Sequence, residues 1–324
     1  MISAMLQYIQ HSPDCFHAVE ELRQRLLREG YTELRPGRWQ LTAGGKYFTT
    51  KNGSSMMAFR LPQEAPAGFL LTASHSDSPC FRLRDHAELT GEYIRLSAER
   101  YGGMINDSWL DRPLSVAGRV LVRREGGLEA RLVDLKRDVA LIPRVAIHLN
   151  RETNNGVKYD PARDLVALYA AGTGSGSFYR EVARTADCAP EDVVAGDLVL
   201  YNNQPGTVWG AEGEFVSAPR LDDLACVFAC TEGFLTAQER DMVPVLCVFD
   251  NEEIGSETKQ GAASVFLPET LAAPIQQGQQ VGTLTLCSGD TEVLTVPILA
   301  AESVPGRSWG RMFTDLLKQA VFLA

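Results

Sequence analysis

The chain has 324 residues, of which 45% are hydrophobic and 22% charged, and carries a formal net charge of −10. This is the composition of an ordinary soluble globular protein, long enough for two or three domains. The acidic balance argues against non-specific nucleic-acid binding, which needs a basic footprint. No apolar stretch is long enough to span a bilayer.

The first residues, Met1 to Tyr8, lack a basic segment followed by an apolar core, so no signal peptide is read there. Residues 13–29 have helical spacing, with Phe16, Val19, Leu22, Leu26 and Leu27 on one face and Gly30 as the stop. Residues 39–60 alternate in strand fashion around Asn52-Gly53, a hairpin dipeptide. Gly68 to Ser74 is expected to be a buried strand that runs directly into His75-Ser76-Asp77-Ser78-Pro79. From about 90 to 215 the texture changes to short apolar runs, such as 115–122 and 194–201, separated by turn residues. Gly172 to Ser177 reads as a loose loop. This stretch is expected to be a β-rich domain inserted into an α/β domain.

Residues 221–236 return to helical spacing, with Arg220-Leu221-Asp222-Asp223 at the start, where carboxylates meet the positive end of the helix dipole. The apolar run 245–249 is expected to be a buried strand of a parallel sheet. It ends in Asp250-Asn251-Glu252-Glu253 and a glycine turn. In such sheets ligands sit beyond the carboxyl ends of the strands. Adjacent carboxylates there repel each other unless a cation or a proton offsets them. The seven cysteines, at 15, 80, 188, 226, 230, 247 and 287, include no C-x-x-C pair. Several lie inside apolar runs, which fits a reduced, cytoplasmic compartment better than a disulfide framework.

Three pieces are therefore candidates to converge: His75 and Asp77, Asp222, and Glu252 with Glu253. Imidazole and carboxylate are donors that zinc accepts. Asp77 can fix the imidazole of His75, Asp222 can bridge two ions, and a free glutamate can take a proton from water. Each piece also has an ordinary reading. H-x-D is a common pattern, Arg-Leu-Asp-Asp fits a helix cap, and Asp-Asn-Glu-Glu fits a solvated loop. Their joint placement at element ends favours a metal site. Ser256-Glu257-Thr258-Lys259 spells the S-x-x-K of serine enzymes, but no Lys-Thr-Gly follows, and it is read as coincidence.

The chain resembles the aspartyl aminopeptidases, zinc metalloaminopeptidases, over about residues 5–268. The resemblance rests on Ser12 to Val19, His75 to Pro79, Tyr101-Gly102-Gly103, Trp109-Leu110-Asp111-Arg112, Pro143 to Leu149, Arg220 to Asp223, Phe249 to Ser256 and Gln260-Gly261-Ala262, in family order. It implies that His75 binds one zinc, Asp222 bridges two and Glu253 binds the other. It further implies that Glu252 is the general base, that Asp77 orients His75, and that His148 of a neighbouring subunit stabilises the tetrahedral intermediate. The substrates implied are peptides with N-terminal Asp or Glu, and the assembly implied is a dodecamer formed through the inserted domain. On residue pattern alone, His148 reads as a packed strand histidine.

Two further ligands that the family supplies later, an Asp and a closing His, have no counterpart. The five histidines are 11, 17, 75, 86 and 148. Activity is accordingly expected to be impaired. Residues 272–306 instead read as a β-hairpin with a turn at Ser288-Gly289-Asp290. This tail resembles the C-terminal β-domain of D-alanyl-D-alanine carboxypeptidases. Beyond it, Trp309, Met312, Phe313, Leu316, Leu317 and Ala320 share a helical face that fits either a membrane interface or a terminal helix packed on its own domain.

The expected organisation is thus an α/β fold with a truncated zinc-aminopeptidase-type mixed sheet and helices on both faces, formed by 1–89 and 216–270. It carries an inserted β-rich oligomerisation domain (90–215), a β-rich tail (271–306) and an amphipathic helix (307–324). Residue 270 marks the expected junction, whether from gene fusion or a sequence error. The alternative function is a catalytically inactive oligomerisation or interaction module with a membrane-peripheral tail.

Overall fold

A computed structural model describes residues 1–35, 39–64, 66–172, 174–238 and 242–271, together with the backbone of 280–288 and 291–299. A mixed five-stranded sheet has the order β1-β2-β3-β14-β4. Its strands are β1 (Thr32–Glu33), β2 (Lys46–Lys51), β3 (Ser55–Arg60), β4 (Gly68–His75) and β14 (Met242–Phe249). The hairpin β2–β3 turns on Asn52 and Gly53, both at positive φ (58° and 70°), as an Asn-Gly turn requires. β14 is an interior, buried strand, parallel to β4 and antiparallel to β3.

Alternation along these strands sends side chains to two different cores. Phe48, Met56, Ala58, Leu246 and Val248 pack with α1 (Ile2–His11), α2 (Cys15–Arg28) and α5 (Leu221–Thr236). Tyr47, Met57, Phe59, Val245, Cys247 and Phe249 face the other way, against Phe266 of α6 (Phe266–Leu271). The period of two explains why an uninterrupted apolar run fits β14: both faces are covered by helices. β4 is different. It is an edge strand with Leu70 and Leu71 exposed, rather than the buried strand expected from its composition.

Two arginines, Arg60 buried and Arg220 half-buried, tie these elements together. The guanidinium of Arg60 donates to the carbonyls of Phe234 (2.8 Å) and Ala237 (2.7 Å), closing the C-terminus of α5. Arg220, at the N-cap of α5, donates to the carbonyls of Ile9, Ser12 and Asn202 and lies over the Tyr201 ring.

The second sheet has seven strands: β5 (Cys80–Leu89), β6 (Tyr93–Tyr101), β7 (Pro113–Arg124), β8 (Gly127–Asp134), β9 (Ala140–Leu141), β10 (Ala167–Ala171) and β11 (Val193–Asn202). The order is β11-β5-β6-β10-β9-β7-β8, and β11 also pairs with β7, so the sheet closes on itself. Closure removes the edges of the strands in the ring, and β8, paired with β7, lies outside it. The interior holds Phe81, Leu96, Leu114, Val116, Val120 and Leu200, joined by Phe178 and Val182 of α4 (Ser177–Thr185). The sheet takes in β5 from residue 80, ten residues before the expected start of the insert. Smaller elements are α3 (Pro161–Asp164) and a hairpin of β12 (Thr207–Trp209) and β13 (Phe215–Ser217).

The expected tail hairpin is present as antiparallel β15 (Gln280–Ser288) and β16 (Thr291–Leu299). The helix expected at 307–324 lies outside the described residues. Among the described residues no helix is long and apolar enough to cross a membrane.

Candidate metal centre

Parallel pairing of β4 with β14 puts His75 directly opposite Phe249. Both strands end there, so the segments that follow them, 76–79 and 250–256, leave the sheet side by side. The chain reverses sharply at Asn251 (φ 64°), a residue type that tolerates the left-handed region. Glu252 and Glu253 then lie on a short 3-10 turn. From the opposite side α5 brings in Asp222 and Asp223, whose backbone is non-helical and whose shared peptide bond is cis.

The cluster is built around His75. Its Nδ1 lies 3.0 Å from the Asp77 carbonyl and 3.3 Å from Asp77 Oδ1, and its backbone N–H donates to Asp223 Oδ2 at 3.0 Å. Its Nε2 is 3.5 Å from Asp222 Oδ1, 3.8 Å from Asp223 Oδ2 and 3.7 Å from Glu252 Oε2. Donation from Nδ1 leaves Nε2 available to a cation, the usual arrangement of a ligating histidine. His75, Asp222 and Asp223 offer donor atoms all within 4.8 Å of one another. Asp77 is 3% exposed and lies behind the ring, as a residue that orients it should.

Electrostatics agree with this geometry. Burial works against protonation of His75, yet the hydrogen bond and charge of Asp77, with Asp223 and Glu252, outweigh it and push the imidazole up to about 9. Burial would raise Asp77, but bonds from His75, Tyr101 and the Glu253 amide hold it below the usual carboxylate range. Burial and the Asp77 charge raise Glu253. Among the described residues no Lys or Arg pairs with Asp77, Asp222, Asp223, Glu252 or Glu253. One imidazole and several uncompensated carboxylates form a donor set that fits a divalent cation such as zinc. Asp222 is 88% exposed at its side chain, so the site opens to solvent.

The structure therefore brings His75, Asp77, Asp222 and Glu252 together. Glu253 lies next to them, against Gly102, but is not within ion-pair distance of His75 Nε2; Glu252 is. Asp223 joins the donor group, although sequence reasoning passed over it; the Asp-Asp doublet was its signal. His148 is on an exposed turn closed by Leu149 N–H to Ala146 O, not on a strand as its residue pattern suggests, and among the described residues it makes no hydrogen bond or ion pair with the cluster. Ser256 and Lys259 belong to the loop after Glu253, where Thr258 Oγ1 donates to Asn251 Oδ1. A cavity of about 470 Å³ adjoins the centre, with Asp77, Ser78, Tyr101, Trp109 and Arg112 among its walls.

The family described as aminopeptidase I zinc metalloprotease (M18) matches residues 8–287. The chain belongs to this family. It is 38% identical over 280 residues to a probable M18 family aminopeptidase 2 of Clostridium acetobutylicum, covering 82% of this chain and 64% of that one. The mApe1 structure of Chaetomium thermophilum superposes with a TM-score of 0.76 at 32% identity, covering 83% of this chain and 66% of that one. The mApe1 dodecamer of S. cerevisiae gives 0.72 at 28% identity, covering 83% and 64%. The chain thus spans about two thirds of the length of these M18 relatives. The M18 match continues to residue 287, across the expected junction at 270 and into β15, and the comparisons give no support to a carboxypeptidase-type tail.

Proposed function

We propose that the chain is an M18-type zinc aminopeptidase, removing the N-terminal residue of peptides at the His75 cluster. The observation that carries this reading is the convergence of His75, Asp222, Asp223 and Glu252 at the paired ends of β4 and β14. In this reading His75 Nε2 and the Asp222 carboxylate hold zinc, and Asp77 fixes the imidazole from behind. Zinc, when bound, supplies a Lewis acid that polarises a carbonyl and lowers the pKa of water. Glu252, exposed and next to His75, takes the proton from the attacking water and passes it to the leaving amine. The adjoining cavity offers space for the terminal residues of a peptide.

A second zinc would use Asp222 as a bridge and Glu253 as a ligand. Preference for N-terminal Asp or Glu is retained as the substrate class that the family resemblance implies. Self-association is proposed through the β-rich segment that includes 143–149, where Val145, Ile147 and Leu149 are exposed. A dodecamer is described for the S. cerevisiae relative.

The test is hydrolysis of aspartyl and glutamyl peptides with added zinc, cobalt or manganese. Turnover that a chelator abolishes and Glu252→Gln lowers by about 100-fold or more supports the assignment. No turnover with any metal, from a folded and metal-loaded protein, contradicts it.

A further inference from the structure

Tyr101 ends β6 and belongs to the closed sheet, yet its hydroxyl reaches the acidic groups beyond β4 and β14. Tyr101 Oη donates to Asp77 Oδ2 at 2.7 Å and accepts from Asn251 Nδ2 at 2.8 Å. Burial and the neighbouring Asp77 charge raise the phenol well above its ordinary value, so the hydroxyl remains a donor. A carboxylate has about four acceptor positions, and those of Asp77 are filled. Oδ1 meets His75 Nδ1 (3.3 Å) and Glu252 N–H (3.1 Å); Oδ2 meets Tyr101 Oη and Glu253 N–H (3.2 Å). Tyr101 supplies the only side-chain donor to Oδ2 among these partners. Without it Oδ2 keeps only the Glu253 amide, so the carboxylate is held less firmly and Oδ1 can shift from His75.

The next residue acts on the other glutamate. Gly102 has φ +75°, and a Cβ there would stand 2.8 Å from Glu253 Oε2 and 2.9 Å from its Cβ. The missing side chain leaves the space that Glu253 fills, and the backbone conformation itself favours glycine.

We propose that the Tyr101–Gly102 corner is a positioning element of the metal centre: Tyr101 fixes Asp77, and through it His75, while Gly102 makes room for Glu253. The corner comes from the closed sheet, so the binding strength of a site on the five-stranded sheet depends on a residue outside it. This rests on the zinc-centre reading above. A tether between the two sheets would have the same hydrogen bond but a different consequence. It would affect stability and leave metal binding unchanged.

The test compares Tyr101→Phe and Gly102→Ala with Tyr169→Phe; Tyr169 lies on β10 of the same sheet, and its hydroxyl donates to Glu181 of α4. Zinc affinity is read by competition with a chelating dye, ligand geometry by the absorption bands of the cobalt(II) form, and folding by thermal melting. Tyr101→Phe is expected to bind zinc about 10–100-fold more weakly, as loss of a ligand's outer support typically does, with altered cobalt bands. Gly102→Ala should also weaken binding, and Tyr169→Phe should not. Zinc affinity within about twofold of the unaltered chain, with unchanged cobalt bands, would overturn the role of Tyr101. If Tyr101→Phe does not fold, Gly102→Ala carries the test, and unchanged affinity there overturns the role of the corner. An unaltered chain that binds no zinc overturns the centre itself, a result distinct from equal binding by chain and variants.

Discussion

His75 and Phe249 are register partners at the ends of two parallel strands. This pairing brings together residues 177 positions apart when Glu252 is set against His75 (252 minus 75), and it does so with backbone hydrogen bonds rather than with the acidic side chains themselves. The repulsion among those side chains is therefore borne by the sheet, which leaves them ready for a cation.

Asp77→Ala removes the acceptor shared by His75, Tyr101 and the amides of Glu252 and Glu253. Zinc affinity should fall by about 10–100-fold. The part-buried amides of Glu252 and Glu253 lose their partner, so unfolding stability should drop by about 1 kcal/mol or more. Chelator competition and urea denaturation measure the two effects separately.

The Asp14–His17 pair gives a pH dependence. Asp14 caps α2, accepting from the Phe16 and His17 amides, and its Oδ2 is 2.7 Å from His17 Nδ1. Burial opposes protonation of His17, but the Asp14 charge and hydrogen bond outweigh it, so its pKa is raised. A group raised on folding stabilises fully below its unfolded value of about 6.5 and loses that contribution as pH rises through the folded value. The stability gap between the unaltered chain and His17→Gln should thus be wide at pH 6 and narrow at pH 9 in urea titrations. A gap that widens with pH would refute the pairing.

The helix α5 depends on Arg60. Arg60→Met strips the Phe234 and Ala237 carbonyls of their charged donor at a buried helix end. The expected cost is about 3 kcal/mol, read as a lower denaturation midpoint with little change in slope.

Self-association is testable at the exposed turn. Leu149 is 82% exposed and Val145 55%. Val145→Asp with Leu149→Asp should shift the chain toward smaller species by light scattering. An unchanged distribution would place the contact elsewhere.

Much of this fold was legible in local pattern. The helix 221–236, the Asn52-Gly53 hairpin and the buried run of β14 each follow from spacing that one element dictates. The exposure of β4 was not legible, because an edge strand and a central one have the same composition when sequence does not reveal the strand order. Closure of the second sheet through β7 and β11 was hidden for the same reason: the two pair across some 70 intervening residues. Within the site, His75, Asp77, Asp222 and the glutamates were marked by their positions at element ends. Asp223 was missed because its place depends on the non-helical start of α5, and the link of Tyr101 to Asp77 because it crosses from one sheet to the other.

Calorimetric titration of zinc into the metal-free protein tests directly whether His75 anchors a cation site. At least one site is expected in the unaltered chain, with protons released at neutral pH because the metal displaces the proton that His75 holds up to about 9. His75→Ala should abolish that site. Equal zinc binding by His75→Ala, or none by the folded unaltered chain, would contradict this role of His75.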